Sequence, residues 1–216
     1  MINSWAKTWD TRSPAKVEDL LKRMEVMYAD DIKAGNGATS NVKPSIRTYT
    51  AAMGAWVRSR DNAKSQHALR ILKKALDMYK ESGDEEIKPT LYTYNTAIDA
   101  CARSGGSPEQ SAKALKIAFA VNKAIIAGRL EPNHVTYSTL LKAANKLLPA
   151  GDQRNEICKA VFTKCITKGY VDANVMKALE QAADRDVYYD LVGEVADRNG
   201  HVHFEEIPKD WCKNVN

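Results

Sequence analysis

Apolar residues recur along the chain at the spacing of one helix face. Tyr49, Ala52, Met53 and Trp56 lie at i, i+3, i+4 and i+7, as do Tyr94, Ala97, Ile98 and Cys101, and again Tyr137, Leu140, Leu141 and Ala144. Each set predicts an amphipathic helix with one buried stripe. One turn round from each stripe stands an alanine (Ala55, Ala100, Ala143, Ala182), small enough to let a neighbouring helix approach closely. A second helix follows each first one, through Ala68, Leu69, Ile71, Leu72 and Ala75, and through Ala114, Leu115, Ile117 and Ala118. Ser107-Pro108-Glu109 and Ser13-Pro14 pair a serine N-cap with proline at the first helical position. Gly83, Gly128 and Gly169 stand where these second helices should end. No segment has the β-branched alternation of a strand.

The pattern is a repeat. Pro44-Ser-Ile-Arg-Thr-Tyr49, Pro89-Thr-Leu-Tyr-Thr-Tyr94 and Pro132-Asn-His-Val-Thr-Tyr137 align directly, and a weaker copy from Asp172 places Met176 at the tyrosine position. A lone hairpin cannot bury its stripe, so such units must stack. The expected fold is all-α, a right-handed α-solenoid of helix-turn-helix hairpins. Repeats are expected near 1–44, 45–89, 90–132, 133–171 and 172–192, with 193–216 a tail capping the last hairpin. Trp5 aligns with Trp56, so Met1 falls inside a first helix, and the chain reads as a fragment or a trimmed piece of a longer one.

Composition narrows the picture little. The chain has 216 residues, 44% apolar and 27% charged, with a formal net charge of +5, the profile of a folded protein leaning toward an anionic partner. No run is long and apolar enough to span a bilayer. Cys101, Cys158, Cys165 and Cys212 form no CxxC pair and read as small apolar filler. His201 and His203 with Cys212 fall short of a four-ligand zinc site. Asp184, Asp186 and Asp190 resemble a nuclease-type carboxylate cluster but fit a solvated helix face better. Phosphate loops, nucleophile elbows and deaminase signatures are missing, so no enzyme, no cofactor, no metal and no small-molecule substrate are expected.

Thr93-Tyr-Asn-Thr-Ala-Ile-Asp-Ala-Cys-Ala-Arg-Ser-Gly105, Thr48 to Ser59 and Val135 to Ala143 each resemble the opening of a pentatricopeptide repeat, and Ile87-Lys88-Pro89 resembles its ending. The tyrosines are 45 and 43 residues apart, with 39 more to Met176, against about 35 in the family. Tetratricopeptide repeats place their Trp, Gly, Tyr and Pro elsewhere, and HEAT repeats lack the Thr-Tyr opening.

The resemblance implies a base-by-base RNA code, two or three side chains per repeat. Its readers fall on Thr50, Asn95 and Ser138 after the register tyrosines, with Lys177 in the decayed copy. They also fall on Thr90, Asn133 and Asp172 closing each repeat, with Ser45 closing the first. Ser138 with Asp172 implies G, Asn95 with Asn133 a pyrimidine, and Thr50 with Thr90 a purine, giving purine–pyrimidine–G from the 5′ end. The closing residues are also good N-caps, and capping alone explains them equally well. Arg47, Tyr92 and Val135, two residues before each tyrosine, are the implied base-stacking positions, or else ordinary first-turn packing.

A further register is read from the residues themselves. Arg58, Arg103, Lys146 and Arg185 fall nine residues after their tyrosine or its replacement, and Lys7 sits at the same place by the Trp5–Trp56 alignment. Stacking would line them up as phosphate contacts, while helix-dipole complementarity is the competing explanation. The expected function is sequence-selective single-stranded RNA binding in a mitochondrion or plastid, in RNA processing, stability or translation. The alternative is a protein-interaction scaffold, such as a subunit of an organellar ribosome or another large complex.

Overall fold

The computed structural model describes residues 13–37, 40–195, 202 and 206–215. Among these residues the structure is helical: α1 (Ser13–Lys33), α2 (Ile46–Arg58), α3 (Lys64–Ser82), α4 (Leu91–Ala102), α5 (Pro108–Ala127), α6 (His134–Leu147), α7 (Asp152–Thr167), α8 (Ala173–Ala182), α9 (Arg185–Val192) and the short α10 (Lys209–Cys212). The first- and second-helix pattern read from the sequence is therefore present, and the fold is all-α helical hairpins. The chain divides into two compact units, residues 1–100 and 101–216.

In the first unit α2 packs on both α1 and α3. Tyr49, Ala52, Met53 and Ala55 of α2 are buried, as the stripe predicts, against Val17 and Leu21 of α1 and Ala68, Ile71, Leu72 and Ala75 of α3. Trp56 departs from the stripe. It is only half-buried, its indole stacks on His67 with ring centroids 3.6 Å apart, and its N–H donates to Glu18 at 3.2 Å. Glu18 also receives Arg70 at 3.0 Å, and Lys74 pairs with Glu25 at 2.8 Å. These pairs sew α1 to α3. Lys43 reaches Asp84 (2.6 Å) and Glu86 (3.0 Å), tying the segment before α2 to the segment before α4. The Lys43 ammonium beside Asp84 holds that carboxyl below its ordinary range.

In the second unit α6 lies among α5, α7 and α8 and is buried over most of its surface. Its buried hydroxyls are satisfied within the helix: Thr139 donates to the Val135 carbonyl at 2.7 Å and Ser138 to the same oxygen at 3.2 Å. A small-residue cluster (Ala102, Ala114, Leu115, Ala143, Leu147) forms the core on the α5 side, where alanine permits close helix approach. Successive first helices α6 and α8 lie side by side, as do second helices α7 and α9.

The glycine end signals need one correction. Gly83 (φ 65°) and Gly169 (φ 69°) do take the left-handed conformation, but after α5 that position is Arg129 (φ 58°), not Gly128. Gly128 keeps φ −78° as the C-cap, and Arg129 makes the turn one residue later. In the described tail, Val202 and Ile207 come beside Met176 of α8 and Tyr188 of α9, and the end of the tail lies against α7 and the segment before α8. Trp211 meets Phe162 edge-on with centroids 5.8 Å apart, and the Val171 N–H donates to the Trp211 carbonyl at 2.8 Å.

Candidate nucleic-acid interface

The closing residues cap helices. Asp172 accepts the Val175 N–H at 2.7 Å, and its other oxygen accepts from Asn174 at 3.2 Å. Asn133 accepts the Thr136 N–H at 3.2 Å while its own N–H donates to the Thr136 hydroxyl at 3.2 Å. Thr90 and Thr93 exchange the same two bonds at 3.4 and 3.3 Å. At Ser45 the backbone N–H donates to Thr48 at 3.3 Å. Asp172 caps through its side chain alone onto Val175, whereas those at Ser45, Thr90 and Asn133 are capping boxes with threonine at the third helical position. They explain the threonine before every register tyrosine, a signal present in the sequence but read there only as part of the repeat.

Thr50, Asn95 and Ser138 are more than nine-tenths buried, at 8%, 7% and 4% exposure. Thr50 donates to the Ile46 carbonyl at 2.8 Å, and its oxygen lies 3.1 Å from the Thr93 hydroxyl. The cap threonine of α4 thus touches the register residue of α2, within the first unit. Ser138 likewise spends its proton on the Val135 carbonyl. A hydroxyl that donates inward keeps its lone pairs as an acceptor.

The stacking positions lie on the surface. Tyr92 is 74% and Val135 41% exposed, and Arg47 is exposed as well. First-turn packing, the competing explanation, does not hold Tyr92 or Arg47, while Val135 stays partly covered. Lys177 of the decayed copy is exposed too.

The basic register divides. Lys7 lies outside the described residues, as do Met1, Trp5, His201 and His203. Arg58 is the last residue of α2 and half-buried, its guanidinium folded back over Gly54. Arg103 follows the end of α4, and Lys146 lies in the last turn of α6; both are exposed. Arg185 does not end a first helix. The decayed first helix α8 stops at Ala182, three residues short of the register, so Arg185 opens α9 instead. There its cation faces the wrong end of a helix dipole, so dipole complementarity does not explain it. It is held by Tyr189, whose hydroxyl accepts from it at 3.4 Å and whose ring lies 5.6 Å below the guanidinium.

A polar knot beside these residues escaped the sequence reading. Arg154, opening α7, donates to Asn145 at 3.4 Å and pairs with Asp184 at 3.2 Å. Asn155 donates to Asp184 at 2.7 Å and accepts the Asp184 N–H at 3.0 Å. Asp184 is thus structural. The knot ties the end of α6 to the α8–α9 turn, so Lys146 and Arg185, each next in sequence to a knot residue, come to one end of the second unit. Among the described residues no cluster of metal-ligand type occurs and no helix is long and apolar enough to cross a membrane.

Residues 36–104 match the pentatricopeptide repeat domain family. The human protein "Pentatricopeptide repeat-containing protein 1, mitochondrial" is 33% identical over 130 residues, which cover 60% of this chain and 16% of that protein. The chain therefore spans only a small part of that relative's length. No solved structure matches significantly. Repeated Thr-Tyr openings and capped helix hairpins agree with the likeness to pentatricopeptide repeats over residues 36–104.

Proposed function

We propose that the chain binds single-stranded RNA, using the register residues as readers and the basic register as phosphate contacts. The observation that carries this reading is the exposure of Arg47, Tyr92 and Val135 at one register of successive first helices. A phenol ring three-quarters in water gains little from its own fold, yet offers a face on which a base stacks. Within the first unit Thr50 and Thr90 read beside Arg47 and Tyr92. Within the second, Ser138 and Asp172 read beside Val135. Ser138 presents lone pairs and Asp172 a carboxylate, an all-acceptor pair that suits a base edge rich in donors, as guanine's N1–H and N2–H₂ are. The family resemblance assigns a pyrimidine to Asn95 and, from the repeat that follows, Asn133. Arg58, Arg103, Lys146 and Arg185 contact phosphates, and the likeness to a mitochondrial relative supports an organellar site of action.

Titration of short RNA oligomers tests this. An oligomer containing purine–pyrimidine–G is expected to bind, and replacing that G with C is expected to weaken it about tenfold, the worth of one hydrogen bond to a charged group. Four phosphate contacts give a log–log salt slope near −3, and each cation-to-alanine change lowers its magnitude by about 0.7. Equal affinity for all sequences would remove the base code and leave only the phosphate contacts.

A further inference from the structure

The second helices of the two units differ in how their flanks are closed. In the first unit, α1 and α3 are joined by the Glu18–Arg70 and Glu25–Lys74 pairs. In the second unit, α5 and α7 both pack on α6, and a groove of about 420 Å³ stays open between α5 and the entry to α7. Ala112, Leu115, Phe119, Ala120 and Leu148 line it, with Lys116, Lys123 and Gln153. Its floor is continuous with the core: Phe119 and Leu148 pack against the Ala114–Leu115–Leu147 cluster yet stay only partly buried.

We infer that this groove docks an amphipathic helix of a partner protein, one whose apolar stripe is flanked by carboxylates. An apolar groove is what the apolar face of an amphipathic helix is laid into in helix-in-groove recognition. Nucleotide bases would find no hydrogen-bonding floor here, and a phosphate chain would gain nothing from Leu115 or Phe119. Charge selects the partner. Lys116 and Lys123 are exposed, enter no ion pair among the described residues, and no acidic group lines the groove. They stand seven residues apart, two turns or about 10.5 Å along α5, a spacing that glutamates two turns apart on a docked helix would meet. This site is distinct from the RNA register and does not rest on it.

The test is fluorescence anisotropy of a labelled synthetic helix of about five turns, with leucines on one face and glutamates beside them, titrated with the full chain. Saturable binding is expected, weakened about tenfold or more by Phe119→Ser and by the exposed pair Lys116→Glu with Lys123→Glu. That pair should then prefer the same helix carrying lysine in place of glutamate, while RNA binding stays unchanged. Circular dichroism checks folding; if Phe119→Ser does not fold, the lysine pair carries the test. Failure to saturate, equal binding by all variants, or displacement of the peptide by single-stranded RNA would overturn the proposal. So would self-association of the chain that Phe119→Ser abolishes, since a second copy would then be the occupant.

Discussion

Several side chains at the repeat junctions cap helices, and the proposed function gives them base reading as a second duty. Asp172 caps α8 through one oxygen and presents the other near Asn174. Substitutions can separate the two. Asparagine is as good an N-cap as aspartate, so Asp172→Asn should leave the melting temperature nearly unchanged while removing the preference for G. Asp172→Ala should cost about 1 kcal/mol of stability as well. Paired thermal melts and RNA titrations check both arms, and a G preference retained by Asp172→Asn would assign the residue to capping alone. The cysteines show the opposite economy, a single duty each. Cys101, Cys158 and Cys165 are fully buried, whereas Cys212 is half-buried. Iodoacetamide is expected to label Cys212 first on the native chain and the other three only on unfolding, as mass spectrometry would count.

At the scale of elements, the helices hold together through alanine-lined contacts and a few polar ties. The knot of Arg154, Asn145, Asn155 and Asp184 joins α6, α7 and the α8–α9 turn. Asp184→Ala would leave the mostly buried Arg154 guanidinium without its carboxylate and is expected to destabilise the fold by about 2 kcal/mol. Adding Arg154→Met should recover part of that loss, and urea unfolding of both variants measures it. No recovery would mean that Asn155, not the charge pair, carries the junction. The helices themselves were legible in the sequence because periodicity and caps are local signals: Tyr49, Tyr94 and Tyr137 head buried stripes, and Ser107-Pro108 caps α5 as expected. The knot was not legible, because its partners lie up to 30 residues apart. Only folding brings them together. The shift of Arg185 into α9 has a similar origin, since the register counted residues while the decayed copy shortened its helix to 10. Exposure of Tyr92 and Val135 was equally beyond local pattern, because a first-turn apolar residue is buried or bare according to what lies across from it.

For the molecule as a whole, burial governs the response to alkali. It pushes the Cys158 thiol up to about 11 and the Cys165 thiol up to about 12, and the Tyr137 phenol up to about 12. In the unfolded chain the thiols ionise near 8.5. Folding with neutral thiols therefore costs nothing below that pH. Above it the unfolded chain binds fewer protons than the native one, so stability falls as pH rises toward 11 to 12. Two thiols give about 2.7 kcal/mol per pH unit across the window from about 9 to 11. Urea midpoints measured from pH 8 to 10.5 should fall accordingly, and Cys158→Ala with Cys165→Ala should flatten the decline. A steep decline that survives in the double variant would shift the cause to the tyrosines.

The carboxy-terminal segment bears on recognition through its anchorage. Trp211 accepts the Val171 N–H, and the Asn214 N–H donates to the Gly169 carbonyl at 2.9 Å. Both bonds grip the three residues immediately ahead of Asp172. Asp172 is thus braced from outside by the tail and from inside by its own helix. Under the proposed function, shortening the chain before Trp211 is expected to leave α8 intact but free its leading carboxylate to move, lowering the preference for G without abolishing RNA binding.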